Sequence, residues 1–243
     1  MPETVLIQTA DKSLQNQLSL QKTIAEVNKV ILGKSVQIKL ALSCILARGH
    51  LLIEDLPGMG KTTLAHAFAK VLGLEYARIQ FTSDLLPADI LGTAIFNRDQ
   101  SRFDFHPGPI FNQLLLADEV NRATPKTQSA LLEAMAEQQV TVEGKTRALP
   151  MPFFVIATQN PSFHVGTYPL PESQLDRFFM KIELGYPALN EEKNLLEGCD
   201  RQTLINQLEK CLTAEQILEL QSAVEKVKVS SLLREYILAL LTE

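Results

Sequence analysis

Apolar positions recur at spacings of three and four from Gln21 onward, at Ile24, Val27, Val30 and Ile31, and predict a helix that Gly33 stops. The twenty residues before it are polar and weakly patterned, and an arm or poorly ordered lead-in is expected there. A second helix is predicted over Ser35 to Arg48, with Val36, Leu40 and Ile45 on apolar faces. Gly49 then leads into a short apolar run, His50 to Ile53, of strand length. Lys61 to Leu72 returns to the helical period, with Leu64, Phe68 and Val71 inward and Gly73 as its C-cap. Tyr76 to Phe81, Leu114 to Ala117, Phe153 to Ala157 and Phe178 to Leu184 predict further buried strands. The unbroken apolar run Leu114-Leu-Leu-Ala117 is what a parallel strand covered on both faces requires.

Between these strands the pattern changes. Thr-Ala-Ile-Phe and Arg-Phe-Asp-Phe flank the polar turn Asn97 to Ser101, predicting a hairpin over Thr93 to His106. Gln139 to Val142, Glu143-Gly144 and Lys145 to Leu149 predict a second. Thr124 followed by Pro125 opens a helix to about Glu137, with Ala130, Leu131, Ala134 and Met135 on its apolar side. Strands alternating with helices argue for a doubly wound parallel α/β sheet. Gly185 to Asn190 has the character of a linker, and the residues after it are helical in pattern, with a capping box at Thr213 to Gln216 and a last helix capped by Ser231 that carries Leu233, Ile237 and Leu240. That helix stays apolar almost to Glu243 without a stop signal, so residues 188–243 are expected to be part of a larger helical unit.

Against this background Asp55-Leu-Pro-Gly-Met-Gly-Lys-Thr-Thr63 stands out, placed between a strand and a helix. Gly58 and Gly60 allow the backbone N–H groups to turn toward phosphate oxygens, and the helix that starts near Lys61 adds the positive end of its dipole. Lys61 is positioned to reach the β/γ-phosphates and Thr62 to hold Mg²⁺. The departure from G-x-x-x-x-G-K-[ST] is Asp55, which stands where the pattern has glycine. A second motif, Leu114-Leu-Leu-Ala-Asp-Glu119, delivers two carboxylates at the end of a strand, where open α/β sheets bind ligands. Asp118 can hold the Mg²⁺ shell, while Glu119, on the other side of the backbone, can orient and deprotonate the attacking water. Asn160 ends another strand and can approach the γ-phosphate or that water. Arg177 has the chemistry of a finger residue, although its spacing alone favours a local salt bridge.

Composition narrows the picture. A hydrophobic share of 46% and a charged share of 21% fit an ordinary globular chain. A net charge of -5 gives no general affinity for nucleic acid. Cys44, Cys199 and Cys211 are scattered without metal-ligand or disulfide spacing, no run approaches the ~18 apolar residues of a membrane span, and the N-terminus lacks signal-peptide features. A cytoplasmic location is expected.

Longer stretches carry a resemblance. Gln80 to Gly92, Pro107 to Phe111, Leu116 to Met135, Ala157 to Pro161 and Gly166 to Phe178 resemble the MoxR-type AAA+ ATPases, over most of residues 21 to 187. The resemblance implies an AAA+ nucleotide-binding core over 21–187, an arm over 1–20, and a partial helical lid over 188–243 that ends before a sensor 2 motif. It implies a Walker A loop over Gly58 to Thr63, with Pro57 and Met59 within the nucleotide contact and Thr62 and Thr63 at its end. Asp118 and Glu119 become the Walker B pair, Asn160 sensor 1, and Arg177 a finger acting on a neighbouring subunit's ATP. Ile31, Leu32 and Gly33 would line the adenine, the two hairpins would be the helix-2 insert and the pre-sensor-1 hairpin facing a hexamer's pore, and Arg122 would be a further inter-subunit candidate. ATP/ADP and Mg²⁺ are the implied ligands. The implied function is chaperone-like remodelling of protein partners, often proteins with von Willebrand factor A domains. A metal-chelatase ATPase subunit and a nucleic-acid-stimulated motor are the alternatives; for the latter, Arg98, Arg102, Lys145 and Arg147 at the hairpin tips are mixed with Asp99, Asp104 and Glu143.

Overall fold

The computed structural model describes residues 2–161, 166–186 and 201–242, with residues 2–13 and 201 described in their backbone alone. In chain order the first elements are α1 (Pro2–Asn28), α2 (Ser35–Leu46), β1 (Leu51–Glu54), α3 (Lys61–Leu72), β2 (Tyr76–Gln80), α4 (Pro87–Leu91), β3 (Gly92–Asn97), β4 (Arg102–Pro107) and β5 (Leu114–Asp118). Next come α5 (Pro125–Glu137), β6 (Gln139–Val142), β7 (Lys145–Ala148), β8 (Phe154–Gln159), α6 (Glu172–Leu175), β9 (Met180–Ile182), α7 (Arg201–Asn206), α8 (Ala214–Val224) and α9 (Ser231–Leu241).

Five of the strands form one parallel sheet in the order β2-β5-β8-β1-β9. Alternation along each strand sends side chains to opposite faces. Leu51, Ile53, Leu114, Leu116, Phe154 and Ile156 thus join a core with α1, α2 and α3, while Leu52, Leu115, Ala117, Val155 and Ala157 join a second core with α4 and α5. Sequence and fold agree here for a simple reason: β5 and β8 are inner strands, so both faces must be apolar. β2 departs from the expectation of a buried strand, because it is a sheet edge whose Arg78 and Gln80 are exposed and whose Ile79 is buried.

Several boundaries and faces also differ. The helix expected from Gln21 begins at Pro2, so the lead-in over residues 2–20 is its first part. In α2 the buried stripe is Ile38, Ala41, Leu42, Cys44 and Ile45, leaving Val36 65% and Leu40 38% exposed. Two apolar stripes run along this helix, and packing selects the one that meets α1 and α8. The last helix is capped by Ser230, whose Oγ accepts from Leu233 N at 3.3 Å, rather than by Ser231. The Thr213–Gln216 capping box forms as expected. Of the Gly185 to Asn190 linker, Gly185 and Tyr186 are described; the rest of that expectation, and Cys199, lie outside the described residues.

Both hairpins form as expected. Glu143 (φ 51°) and Gly144 (φ 72°) make the left-handed two-residue turn between β6 and β7. The hairpins touch: the Arg147 guanidinium lies 3.8 Å from the Phe105 ring centroid. The helical tail divides in two. Ile205, Leu208, Leu212, Ile217 and Leu220 pack into the core, and Gln221 Nε2 donates to Ile45 O at 2.8 Å. By contrast α9 has no buried residue.

Candidate functional site

The turn between β1 and α3 is shaped by two glycines in the left-handed region, Gly58 (φ 86°) and Gly60 (φ 88°), where an L side chain would be strained. A Cβ built at either position meets nothing within 4 Å, so open space borders both glycines. Both glycines also line a cavity of about 310 Å³. The loop contributes Pro57, Gly58, Gly60, Lys61, Thr62 and Thr63 to its wall, and the strand ends contribute Arg78, Gln80, Asp118, Glu119 and Asn160.

Topology brings these residues together. β8 lies between β1 and β5, so Asn160 follows the strand that separates the loop from the two carboxylates. Its amide bridges them: Oδ1 accepts from Lys61 Nζ at 3.2 Å and Nδ2 donates to Glu119 Oε1 at 3.1 Å. Thr158, one repeat of the pleat earlier on β8, donates its hydroxyl to Asp118 Oδ1 at 2.6 Å and accepts from Glu119 N at 2.9 Å. Glu119 itself adopts φ 58°, ψ 50°. A non-glycine residue held there is strained by about 1 kcal/mol or more, and the neighbouring bonds keep it in place. Gln80 Nε2 and Arg122 Nη1 both donate to Glu119 Oε2, at 2.8 and 2.7 Å, while Arg78 pairs with Asp118 Oδ2 at 2.8 Å.

Lys61 is 7% exposed, and its Nζ donates to Asp55 O at 2.5 Å and Leu56 O at 3.0 Å. Burial lowers the pKa of this ammonium group, and the charges of Asp55, Asp118 and Glu119 oppose that shift. Asp55, the departure from the glycine pattern, has a structural explanation. Its Oδ2 accepts from Leu184 N at 2.9 Å and Gly185 N at 2.6 Å, and its Oδ1 from Leu56 N at 2.8 Å. A glycine there would leave those N–H groups beyond β9 without this acceptor. Lys34 Nζ donates to Tyr186 O at 2.6 Å, which ties the turn after Gly33 to the same segment.

Of the residues expected at the site, Pro57, Gly58, Gly60, Lys61, Thr62, Thr63, Asp118, Glu119 and Asn160 line the cavity. Ile31, Leu32, Gly33 and Met59 are not on its wall; Ile31 is buried in the core, and Met59 packs against that core. Arg177 is also outside it. The residue two positions on, Phe179, donates its N–H to His50 O at 2.9 Å, at the start of β1, so Arg177 stands at the opposite end of the sheet, donating to Leu132 O at 3.2 Å. Arg122 approaches the site from within the chain, as the partner of Glu119. Arg78, Gln80 and Thr158 are site residues that sequence reasoning misses. Two polar side chains alternating on one strand, Arg78 and Gln80, are the signal available for that edge. The cavity holds oxygen donors suited to a hard divalent cation in Thr62 and Asp118, and a donor set suited to phosphate in the loop N–H groups and Lys61.

Known proteins give the context. The model of the ATPase family associated with various cellular activities (AAA) matches residues 50–180. YeaC of Bacillus subtilis, an uncharacterized protein, is 49% identical over 218 residues, which are 90% of this chain and 68% of that protein. Chaperone MoxR1 of Mycobacterium tuberculosis is 47% identical over 178 residues, 73% of this chain and 47% of its own length. The crystal structure of a candidate ATPase from Cytophaga hutchinsonii superposes with a TM-score of 0.87 at 42% identity, over 97% of this chain and 71% of that one. The chain therefore spans about half the length of MoxR1 and more of the other two. With its parallel sheet, its glycine loop and its paired carboxylates, the chain belongs to the AAA ATPases and, within them, to the MoxR family.

Proposed function

We propose that the chain is the ATP-hydrolysing core of a homo-oligomeric remodeller of protein partners. The assembly implied by the family resemblance is a hexamer, acting in the cytoplasm on protein clients, among them proteins with von Willebrand factor A domains. The observation that carries this reading is the juxtaposition, in one cavity, of Lys61, Asn160 and the carboxylates of Asp118 and Glu119.

In this reading the loop N–H groups and Lys61 bind the β- and γ-phosphates of ATP, and Thr62 with Asp118 holds Mg²⁺, which supplies charge neutralisation to the phosphates. Glu119 takes the proton of the attacking water, and Asn160 orients that water or the γ-phosphate. In the chain as it stands, Gln80 and Arg122 both bond Glu119 Oε2 while Asn160 alone bonds Oε1, which leaves Oε1 the freer oxygen to accept from the water. Arg177 lies at the other end of the sheet from its own chain's cavity, which supports a role at a neighbour's nucleotide. Hydrolysis then depends on assembly.

The test is capture of partners by full-length Glu119→Gln protein with ATP, a variant expected to hold ATP and its clients, with mass spectrometry of the captured proteins. Enrichment of a defined client class over a Lys61→Ala control supports remodelling. Recovery of the ATPase alone, from a variant shown to retain ATP, counts against it.

A further inference from the structure

The cavity contains a cation to which hydrolysis as described gives no task. Arg78 sits in the middle of the edge strand β2, in register with Leu116 of β5, and its guanidinium crosses to the end of that strand. Nη2 and Nε donate to one oxygen of Asp118, Oδ2, at 2.8 and 3.3 Å. The other oxygen, Oδ1, accepts from the Thr158 hydroxyl at 2.6 Å. Both oxygens of the proposed metal-binding carboxylate are thus engaged by the chain itself. Exposure is unequal across the pair: the Arg78 side chain is 47% exposed and that of Asp118 10%. A buried carboxylate is costly without a positive partner, whereas a half-exposed guanidinium can return to water at little cost. Nη2 also donates to Gln80 Oε1 at 3.0 Å, so Arg78 keeps a partner on its own strand if it leaves Asp118.

A divalent cation near Asp118 would meet both a blocked oxygen and a like charge at short range. We propose that Arg78 is the resident counter-cation of Asp118, holding that carboxylate while the cavity is empty and yielding it to a divalent cation that arrives with nucleotide. Arg78 therefore competes with the metal and lowers the advantage that the metal gives to nucleotide binding. This inference rests on the reading of the cavity as a nucleotide site, with Asp118 at the metal.

The experiment is calorimetric titration of full-length protein with ADP, at saturating Mg²⁺ and in EDTA, for wild type, Arg78→Gln, Arg78→Lys and Lys61→Ala. The quantity read is the ratio of the two ADP affinities, which a merely structural role for Arg78 would not move. Arg78→Gln is expected to raise that ratio about fivefold, the scale of a partly exposed ion pair. Arg78→Lys keeps the charge but loses the two-pronged grip, and its ratio is expected between the two. A ratio in Arg78→Gln equal to or below that of wild type overturns the proposal; a lower affinity in both conditions with the ratio unchanged would make Arg78 a phosphate ligand instead. If Arg78→Gln does not fold, Arg78→Lys decides by the same criterion. Failure of the wild type to bind ADP in either condition, with Lys61→Ala no different, would remove the nucleotide-site reading as well, and so separates the two failures.

Discussion

At the carboxyl end of the sheet, Lys61, Asp118, Glu119 and Asn160 are charged or polar groups that share partners around an open cavity. At the amino end the same strands are joined by neutral side chains that bond backbone. His50, which is buried, accepts from Val155 N at its Nδ1 (3.0 Å) and reaches Met135 O with its Nε2 (3.3 Å). Gln113 accepts from Glu75 N at 3.2 Å and donates to Met151 O at 3.1 Å. One end keeps its polar groups accessible to a ligand, and the other spends them on holding strands in register. The difference teaches where a substitution should cost activity and where it should cost stability.

Four predictions bear on that contrast. The largest effect is expected from Arg177→Ala, which stands at the amino end yet is assigned to a neighbour's nucleotide: steady-state turnover of the assembled full-length protein should fall about 10³-fold or more, with ADP affinity and thermal stability near wild type. An unchanged turnover would return Arg177 to the structural role its bond to Leu132 O already gives it. Glu119→Gln should lower turnover by about 10²-fold to 10⁴-fold while ATP still binds, as single-turnover and binding assays can separate.

The third prediction concerns the amino end. Burial lowers the pKa of His50 from 6.5 to about 4. The folded state therefore resists protonation that the unfolded chain accepts, so this group takes stability away as pH falls through 6.5, and the loss is complete below about pH 4. The full loss is about 3 kcal/mol. Urea denaturation across this window should show a shallower decline in a His50→Gln variant; parallel curves would refute the assignment. The smallest effect is expected from Asp55→Ala, which leaves Leu184 N and Gly185 N without their acceptor and should cost about 1–3 kcal/mol in the same assay, without abolishing ADP binding.

Much of this was legible in the sequence because its causes are local or strongly periodic. The apolar runs of β1, β5 and β8, the Gly58 to Thr63 turn, the Thr124-Pro125 helix start and the Glu143-Gly144 turn each fix their geometry within a few residues. The features that escaped depend on distant packing. Val36 and Leu40 form a stripe as regular as Ile38, Leu42 and Ile45, and neighbouring helices decide which one is buried. The N–H groups that give Asp55 its purpose belong to residues about 130 positions away in the chain. Arg78 and Thr158 look like ordinary strand residues until β2, β5 and β8 are placed side by side and both reach Asp118.

The central claim is that each catalytic unit takes its carboxylates from one chain and its arginine from another. Mixing full-length Glu119→Gln protein with Arg177→Ala protein tests it most directly. Each variant alone should hydrolyse ATP at a small fraction of the wild-type rate, and the mixture should regain activity, because an Arg177→Ala subunit supplies Glu119 where its Glu119→Gln neighbour supplies Arg177. A mixture that shares subunits and yet is no more active than the sum of its two components would contradict the claim.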